Sequence, residues 1–227
     1  SVYNDFTFWN IPILEADEDF SYRNPILHKI GGVGYGKRGE FLDTHILKKG
    51  YLFSREGQAI PLSSNILSKI MLSFTNSILS QYSINLYTGQ HKISGNVNLL
   101  PMPDYAIRQS DIERIVNAII DIKRKWFSLD ETNLEYHGLI AQMELKGGIE
   151  AGLDKMQEQL TDDYARYVEL VKENDDLWMD LADIDRGSEF RQTLNDYKAR
   201  RPYEELLSID GASNLNVIDK KTMAQEM

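Results

Sequence analysis

The residues best suited to chemistry in this chain lie on either side of a glycine-rich run. Gly31-Gly32-Val33-Gly34-Tyr35-Gly36-Lys37-Arg38-Gly39 places two adjacent cations inside a stretch whose backbone can approach another molecule closely. The run contains a GxGxxG spacing at Gly34, Gly36 and Gly39. A dinucleotide site needs a strand before that spacing, a helix N-terminus after it and an acid further on. Here the glycines run into Glu40-Phe41-Leu42-Asp43, with no convincing buried helix. The run is no P-loop either, because Lys37 is followed by Arg38 and not by Ser or Thr. What remains is a glycine loop carrying two cations, either a solvated surface loop or one that tracks phosphates and sets a guanidinium against a guanine edge.

Other familiar chemistries have no support. The four histidines, His28, His45, His91 and His137, have no HxH or HxxxH spacing, and the chain has no cysteine, so no metal site is assigned. No GxSxG elbow is present for a nucleophilic serine, and a stand-alone hydrolase has no motif behind it. No catalytic residue and no cofactor-binding residue is therefore assigned. Carboxylates crowd residues 150–190, where helical spacing makes them a solvated face.

The charge is uneven. The net charge is −10, yet residues 1–108 hold 10 Lys and Arg against 9 Asp and Glu, while residues 109–227 hold 15 against 26. A contact with nucleic acid is expected in the first half, and the second half repels phosphate. The absence of cysteine fits a reducing cytosol, and no apolar run reaches the length of a membrane helix. The first residues form no signal peptide and include no initiator Met, which reads as a piece of something longer.

The elements that must position these residues follow from the prolines. They stand at 12, 25, 61, 101, 103 and 202, leaving Asp104 to Arg201 open to helix. Before that, short apolar runs at Tyr3–Pro12, Ile26–Ile30, Tyr51–Phe53 and Asn96–Leu100 read as strands. Between them Ile66, Ile70, Leu72, Phe74, Ile78 and Leu79 predict one helix over about 66–82, with Asn65 as cap. Pro101-Met102-Pro103-Asp104 marks a boundary. Beyond it Ile112, Ile115, Val116, Ile119 and Ile120 predict an amphipathic helix, with Ser110 and Glu113 as a capping box. Leu153, Met156, Leu160, Tyr167, Leu170, Leu177, Leu181 and Ile184 then fall on heptad positions, with Asp163 and Asn174 as polar exceptions. That stripe is either the buried face of a helical subdomain or a helical hairpin or coiled-coil arm. Arg186-Gly187-Ser188 should break the helix, Glu189–Arg200 form another, and the tail from about 212 be disordered. The expected fold is α+β: a mixed unit of short strands around a helix over 1–103, then an all-helical region over 104–227 with a long helix or helical hairpin.

Three blocks carry a resemblance. The first is Gly50-Tyr51-Leu52-Phe53-Ser54-Arg55-Glu56-Gly57, followed by a helix bearing Thr75-Asn76-Ser77. The second is Gly95-Asn96-Val97-Asn98-Leu99-Leu100-Pro101-Met102-Pro103, and the third Leu129-Asp130-Glu131-Thr132-Asn133-Leu134-Glu135-Tyr136. In order and spacing they resemble the specificity region of large adenine-specific DNA methyltransferases of the type IIG restriction–modification and BREX phage-exclusion kinds. The resemblance implies DNA sequence recognition for a larger enzyme. The S-adenosylmethionine cofactor and the Asn-Pro-Pro-Tyr catalytic motif would lie outside this chain, whose Asn24-Pro25-Ile26-Leu27 is not that motif. The implied partners are double-stranded DNA and a methyltransferase catalytic domain or subunit, with a helical partner or self-association as an addition. No family motif assigns the base readers. Lys37, Arg38, Lys48, Lys49, Arg55, Gln90, His91 and Lys92 are the candidates, by their chemistry and loop positions. Asn76 on its helix reads as packing. The rival expectation is an interaction protein whose acidic helical half binds a partner subunit or mimics DNA.

Overall fold

A computed structural model of the chain describes residues 26, 27, 30–51, 53, 57–129, 136–138 and 147–197. The glycine-rich run, expected as a loop, is instead the central strand. β1 (Gly32–Gly36) pairs antiparallel with β2 (Thr44–Leu47) on one edge and with β3 (Gly57–Pro61) on the other, in the order β2-β1-β3. The register sets Val33 opposite Ile46 and Ile60, and Tyr35 opposite Thr44 and Gln58. With a period of two, Val33 and Tyr35 point to one face and the glycines to the other. Val33 and Tyr35 are buried, which is the signal that makes this a strand. Glycine at 32 answers to close packing: a Cβ there would stand 2.2 Å from the Ile60 carbonyl oxygen, and its φ is +137°.

The expected strands fall elsewhere. Tyr3–Pro12 lies outside the described residues. Ile26, Leu27 and Ile30 are in no strand, and the Ile30 N–H donates to the Leu27 carbonyl at 3.2 Å; His28 and Lys29 lie outside the described residues. Tyr51 and Phe53 are not in a strand, and Asn96–Leu100 begins within a short helix, α3 (Ser94–Val97). Short apolar runs alone do not tell a strand from a turn of helix.

The helix expected over 66–82 is two. α1 (Asn65–Thr75) is capped by Ser64, whose side chain accepts from the Leu67 N–H at 3.4 Å, so Asn65 is the first helical residue and not the cap. α2 (Ile78–Tyr87) is capped by Ser77. Between them the Asn76 amide donates to the Leu72 carbonyl at 3.0 Å and to the Thr44 hydroxyl at 2.7 Å, closing one helix and tying it to the sheet. The apolar pattern runs on through this break because Ile70 and Phe74 of α1 and Ile78 and Leu79 of α2 are all buried, though in different clusters.

A 3-10 turn (Ala106–Arg108) leads into α4 (Gln109–Ser128). The capping box expected at Ser110 is absent: the helix starts at Gln109 without a side-chain cap. The heptad stripe resolves into α5 (Ile149–Leu181), 33 residues long. It runs antiparallel to α4, as the pairs Arg114–Glu173 and Lys125–Asp163 require. Ser188 then caps α6 (Glu189–Asp196), shorter than the span expected, whose last three positions lie outside the described residues. The architecture is α+β, with a three-stranded antiparallel sheet and helices that dominate the second half.

The main core crosses the proline-marked divide. Ile70 and Phe74 of α1, Ile112, Ile115, Val116 and Ile122 of α4, and Tyr167, Leu170, Leu177 and Trp178 of α5 form one buried cluster. Leu100, Met102 and Tyr105, around the prolines, pack against it. Each fully buried aliphatic or aromatic side chain contributes roughly 1.5–3 kcal/mol, so this cluster holds the sheet unit to the helices. The polar exception Asn174 is buried here. It accepts from the Ser73 hydroxyl and donates to the Ser73 carbonyl at 3.1 Å, while Trp178 Nε1 donates to the same hydroxyl at 2.8 Å. The heptad interruption is thus a polar lock between α5 and α1. A second cluster joins Ile78 and Leu79 of α2 to Met179 and Leu194.

Candidate nucleic-acid interface

The sheet delivers two of the candidate cations to one end. β1 ends at Gly36, and Lys37 and Arg38 follow directly. Arg38 forms an isolated antiparallel bridge with His91, which stands in the segment between α2 and α3. The backbone seals the pairing: the Lys92 N–H donates to the Lys37 carbonyl at 2.7 Å and the Gly39 N–H to the Gln90 carbonyl at 3.0 Å. Gly39 sits at φ +125°, a conformation that a side chain would strain, which lets the chain turn straight after the bridge. Lys37, Arg38, Gln90 and His91, from two separate segments, therefore share one ridge, and Arg38, Gln90 and His91 are exposed on it. This is a strand followed by a turn into β2, not a phosphate loop opening a helix.

The other candidates part from this group. Lys48 and Lys49 are exposed in the turn after β2. The register that pairs Gly32 with Leu47 puts that turn at the opposite end of β1 from Arg38, roughly 16 Å along the strand. Arg55 lies outside the described residues. Lys92 corrects the expectation of an exposed reader: it is 0% exposed. Its ammonium donates to the carbonyls of Gly39 at 3.1 Å and Gly89 at 2.8 Å and to Asn85 Oδ1 at 2.7 Å. Its pKa is pushed down by burial, and the charge of Glu40 opposes this only in part. A polar His-Lys pair after glycine looks solvated in sequence, and nothing in the local pattern marks the inward turn.

Sequence reasoning also passed over Asn85. Its Oδ1 accepts from the Lys92 ammonium on one side, and its Nδ2 donates to the Glu40 carbonyl at 3.1 Å and the Tyr197 hydroxyl at 2.7 Å on the other. Asn85, Glu40, Phe41, Thr88, Gly89, Gln90 and Tyr197 line a shallow groove of ≈ 290 Å³ beside the ridge. Under the sheet, Tyr35 donates to Gln58 Oε1 at 2.8 Å, and burial pushes its hydroxyl up to about 12, so it brings no charge to the ridge at neutral pH.

The acidic half has a different character. Asp163 pairs with Lys125 at 3.0 Å, Glu173 with Arg114, and Glu169 with Arg166 at 3.0 Å. Asp175 accepts from the Ile78 N–H at 2.7 Å, at the start of α2. Asp176 and Asp180 hold Arg191, at 2.7 and 2.6 Å. Asp163, Glu173, Asp175, Asp176 and Asp180 thus tie elements of the fold to one another. Among the described residues no group of three His, Asp or Glu side chains could hold a metal ion. No described helix is long and apolar enough to cross a membrane.

Compared with protein-family models, curated proteins and solved structures, the chain finds no match.

Proposed function

We propose that this chain is the target-recognition and C-terminal part of a larger adenine-specific DNA methyltransferase of a restriction–modification or phage-defence system. In this reading the ridge reads duplex DNA, and methyl transfer from S-adenosylmethionine takes place on a catalytic domain or subunit outside it. The observation that carries the reading is the Arg38–His91 bridge, which gathers two cationic, one amide and one imidazole side chain on one edge. Arginine's planar fork suits the O6 and N7 edge of guanine, and an amide suits adenine. Lysine is a point charge fitted to phosphate. Base reading is therefore assigned to Arg38 with Gln90 and His91 in support, and phosphate contact to Lys37. The order and spacing of the three sequence blocks supply the enzyme class.

The rival, an acidic DNA mimic, needs carboxylates presented to a partner. The pairing of Asp163, Glu173, Asp176 and Asp180 with cations of the same chain works against it. Fluorescence anisotropy with a duplex library across a salt series separates the two. Binding that weakens steeply with salt supports the reader. Arg38→Ala should then cost about 1–3 kcal/mol and relax preference at one base pair, while Lys37→Ala should weaken all sequences alike and lower the salt slope by about one. No binding to any duplex at low salt, with tight binding to a methyltransferase or nuclease, would sink the reader and support the rival.

A further inference from the structure

Lys92 is the one fully buried charged side chain among the largest buried groups, and it sits directly behind the ridge. Lysines ordinarily bury the stem and leave the ammonium in water. Here the ammonium is inside. Its three N–H donors meet three oxygens, those of Gly39, Gly89 and Asn85. All three acceptors are uncharged. A buried cation without a carboxylate partner costs stability, and an apolar residue of the same length would fill the space without that cost. Space-filling therefore does not account for a lysine here.

Its connections do. Gly39 belongs to the turn after Arg38, Gly89 to the segment that carries Gln90 and His91, and Asn85 to α2, which packs on the rest of the fold. One atom thus ties both halves of the ridge to a rigid helix. The two backbone bonds across the ridge, from Lys92 and from Gly39, lie on either side of the Arg38–His91 pair, and the ammonium adds its contacts at the Gly39 and Gly89 end. The ridge spans one bridge and two backbone bonds, and because a pair of short extended segments is marginal in water by itself, ties to the rest of the fold bear on its register.

We propose that Lys92 is the positioning residue of the ridge: its ammonium sets the spacing and register of Arg38 against Gln90 and His91, and it acts on the bound ligand only through them. The ligand is taken to be duplex DNA, which rests on the reading above; the pinning of the ridge does not. The nature of the side chain gives it a distinct signature. A lysine that touched phosphate would contribute to the salt dependence of binding, whereas a buried pin contributes to affinity and base preference without changing that dependence.

The experiment compares the wild-type chain with Lys92→Met and Asn85→Ala. The first readout is amide hydrogen exchange, which needs no DNA. Lys92→Met should speed exchange at Gly39 and at position 92 by about tenfold or more, with the α5 amides of Asn174 and Trp178 unchanged. The second is anisotropy with duplex DNA, well below the unfolding temperature of each variant. Affinity should fall about tenfold with an unchanged salt slope, and Arg38→Ala should add little on top of Lys92→Met, because both remove the same contact. Wild-type exchange at Gly39 in Lys92→Met would overturn the proposal, and so would a salt slope lowered by about one, since Lys92 would then reach phosphate itself. If Lys92→Met fails to fold, Asn85→Ala keeps the cation and removes one of its acceptors, together with the donor contacts to the Glu40 carbonyl and the Tyr197 hydroxyl, for which Tyr197→Phe controls in part. Asn85→Ala should show the same selective acceleration to a smaller degree, and unchanged exchange there overturns the proposal as well. If the wild-type chain binds no duplex, the DNA reading fails, and the exchange data still decide the pin.

Discussion

Among the described residues two cations are buried, and they are treated in opposite ways. Arg191 of α6, 4% exposed, meets two carboxylates: Asp180 at 2.6 Å and Asp176 at 2.7 Å, with the Ile184 carbonyl as a third acceptor at 3.1 Å. Burial works against its charge, but the hydrogen bonds to Asp180 and Asp176 and their charges outweigh it, and its pKa moves up. Asp180 is held below the ordinary carboxylate range, first by the hydrogen bond from Arg186, with burial opposing and Arg191 adding to it. Lys92 meets only neutral oxygens, and its pKa moves down. The clamp between α5 and α6 is therefore neutralised where it stands and has little reach. The ammonium behind the ridge touches no carboxylate, and the charge of Glu40 offsets its burial only in part. In the acidic half Asp175, Asp176 and Asp180 serve structure, and in the sheet half Lys92 does so through uncharged oxygens.

The sharpest way to break this contrast is to remove the cations one at a time. Arg191→Met strands Asp176 and leaves Asp180 with Arg186 alone. The two aspartate side chains are 41% and 27% exposed, so water relieves part of the penalty, and the loss should be about 3 kcal/mol, the low end for a broken buried pair. Urea unfolding checks this. Arg191→Lys should recover little, because one point charge does not replace a fork that serves two carboxylates. Next in size is the triple change Asp175→Asn, Asp176→Asn and Asp180→Asn. Each amide keeps an acceptor oxygen but loses the charge, so about 2 kcal/mol should go, with DNA preference untouched. A changed base preference in that variant would show that the acidic half takes part in reading. Lys92→Met should cost less, about 1 kcal/mol, because relief of the buried charge offsets part of the three lost hydrogen bonds. A cost equal to that of Arg191→Met would erase the contrast.

What was legible in the sequence follows the range of the interactions involved. The α5 stripe is local and periodic, and Tyr167, Leu170 and Leu177 are buried as the spacing requires. The α+β class follows from the proline distribution. The strands were misplaced because the signal of β1 is two residues, Val33 and Tyr35, among glycines that ordinarily mark loops. The break at Asn76 was missed because an apolar face that continues across it hides it, although Ser77 just before Ile78 has the chemistry of a cap. At the candidate interface the sequence supplied the residue types. It had no access to the pairing of Arg38 with His91, which depends on tertiary contact between distant segments, nor to the burial of Lys92, which depends on three oxygens contributed from outside its own position.

The smallest expected effect tests the treatment of Lys92 directly, through pH. Its folded pKa lies below the ordinary 10.5 of the unfolded chain. Below the folded value both states carry the proton, and the burial penalty is fully present and constant. Between the folded value and 10.5 the unfolded chain holds a proton that the folded chain has released, so the unfolded state binds more protons and stability rises with pH. Tyr35 acts in the opposite sense. Its pKa is raised from 10.0 to about 12, so the stability present below 10 is lost as pH climbs toward 12. The raw stability curve mixes the two, and the difference between wild type and Lys92→Met cancels the tyrosine. That difference, from urea midpoints at increasing pH, should move in favour of the wild type as pH approaches 10.5. The same subtraction with Arg191→Met should stay flat over this range, because arginine keeps its proton in both states. A flat difference for Lys92→Met would mean that three carbonyl-type oxygens solvate an ammonium as well as water does. The two buried cations would then differ in their partners but not in their energetics.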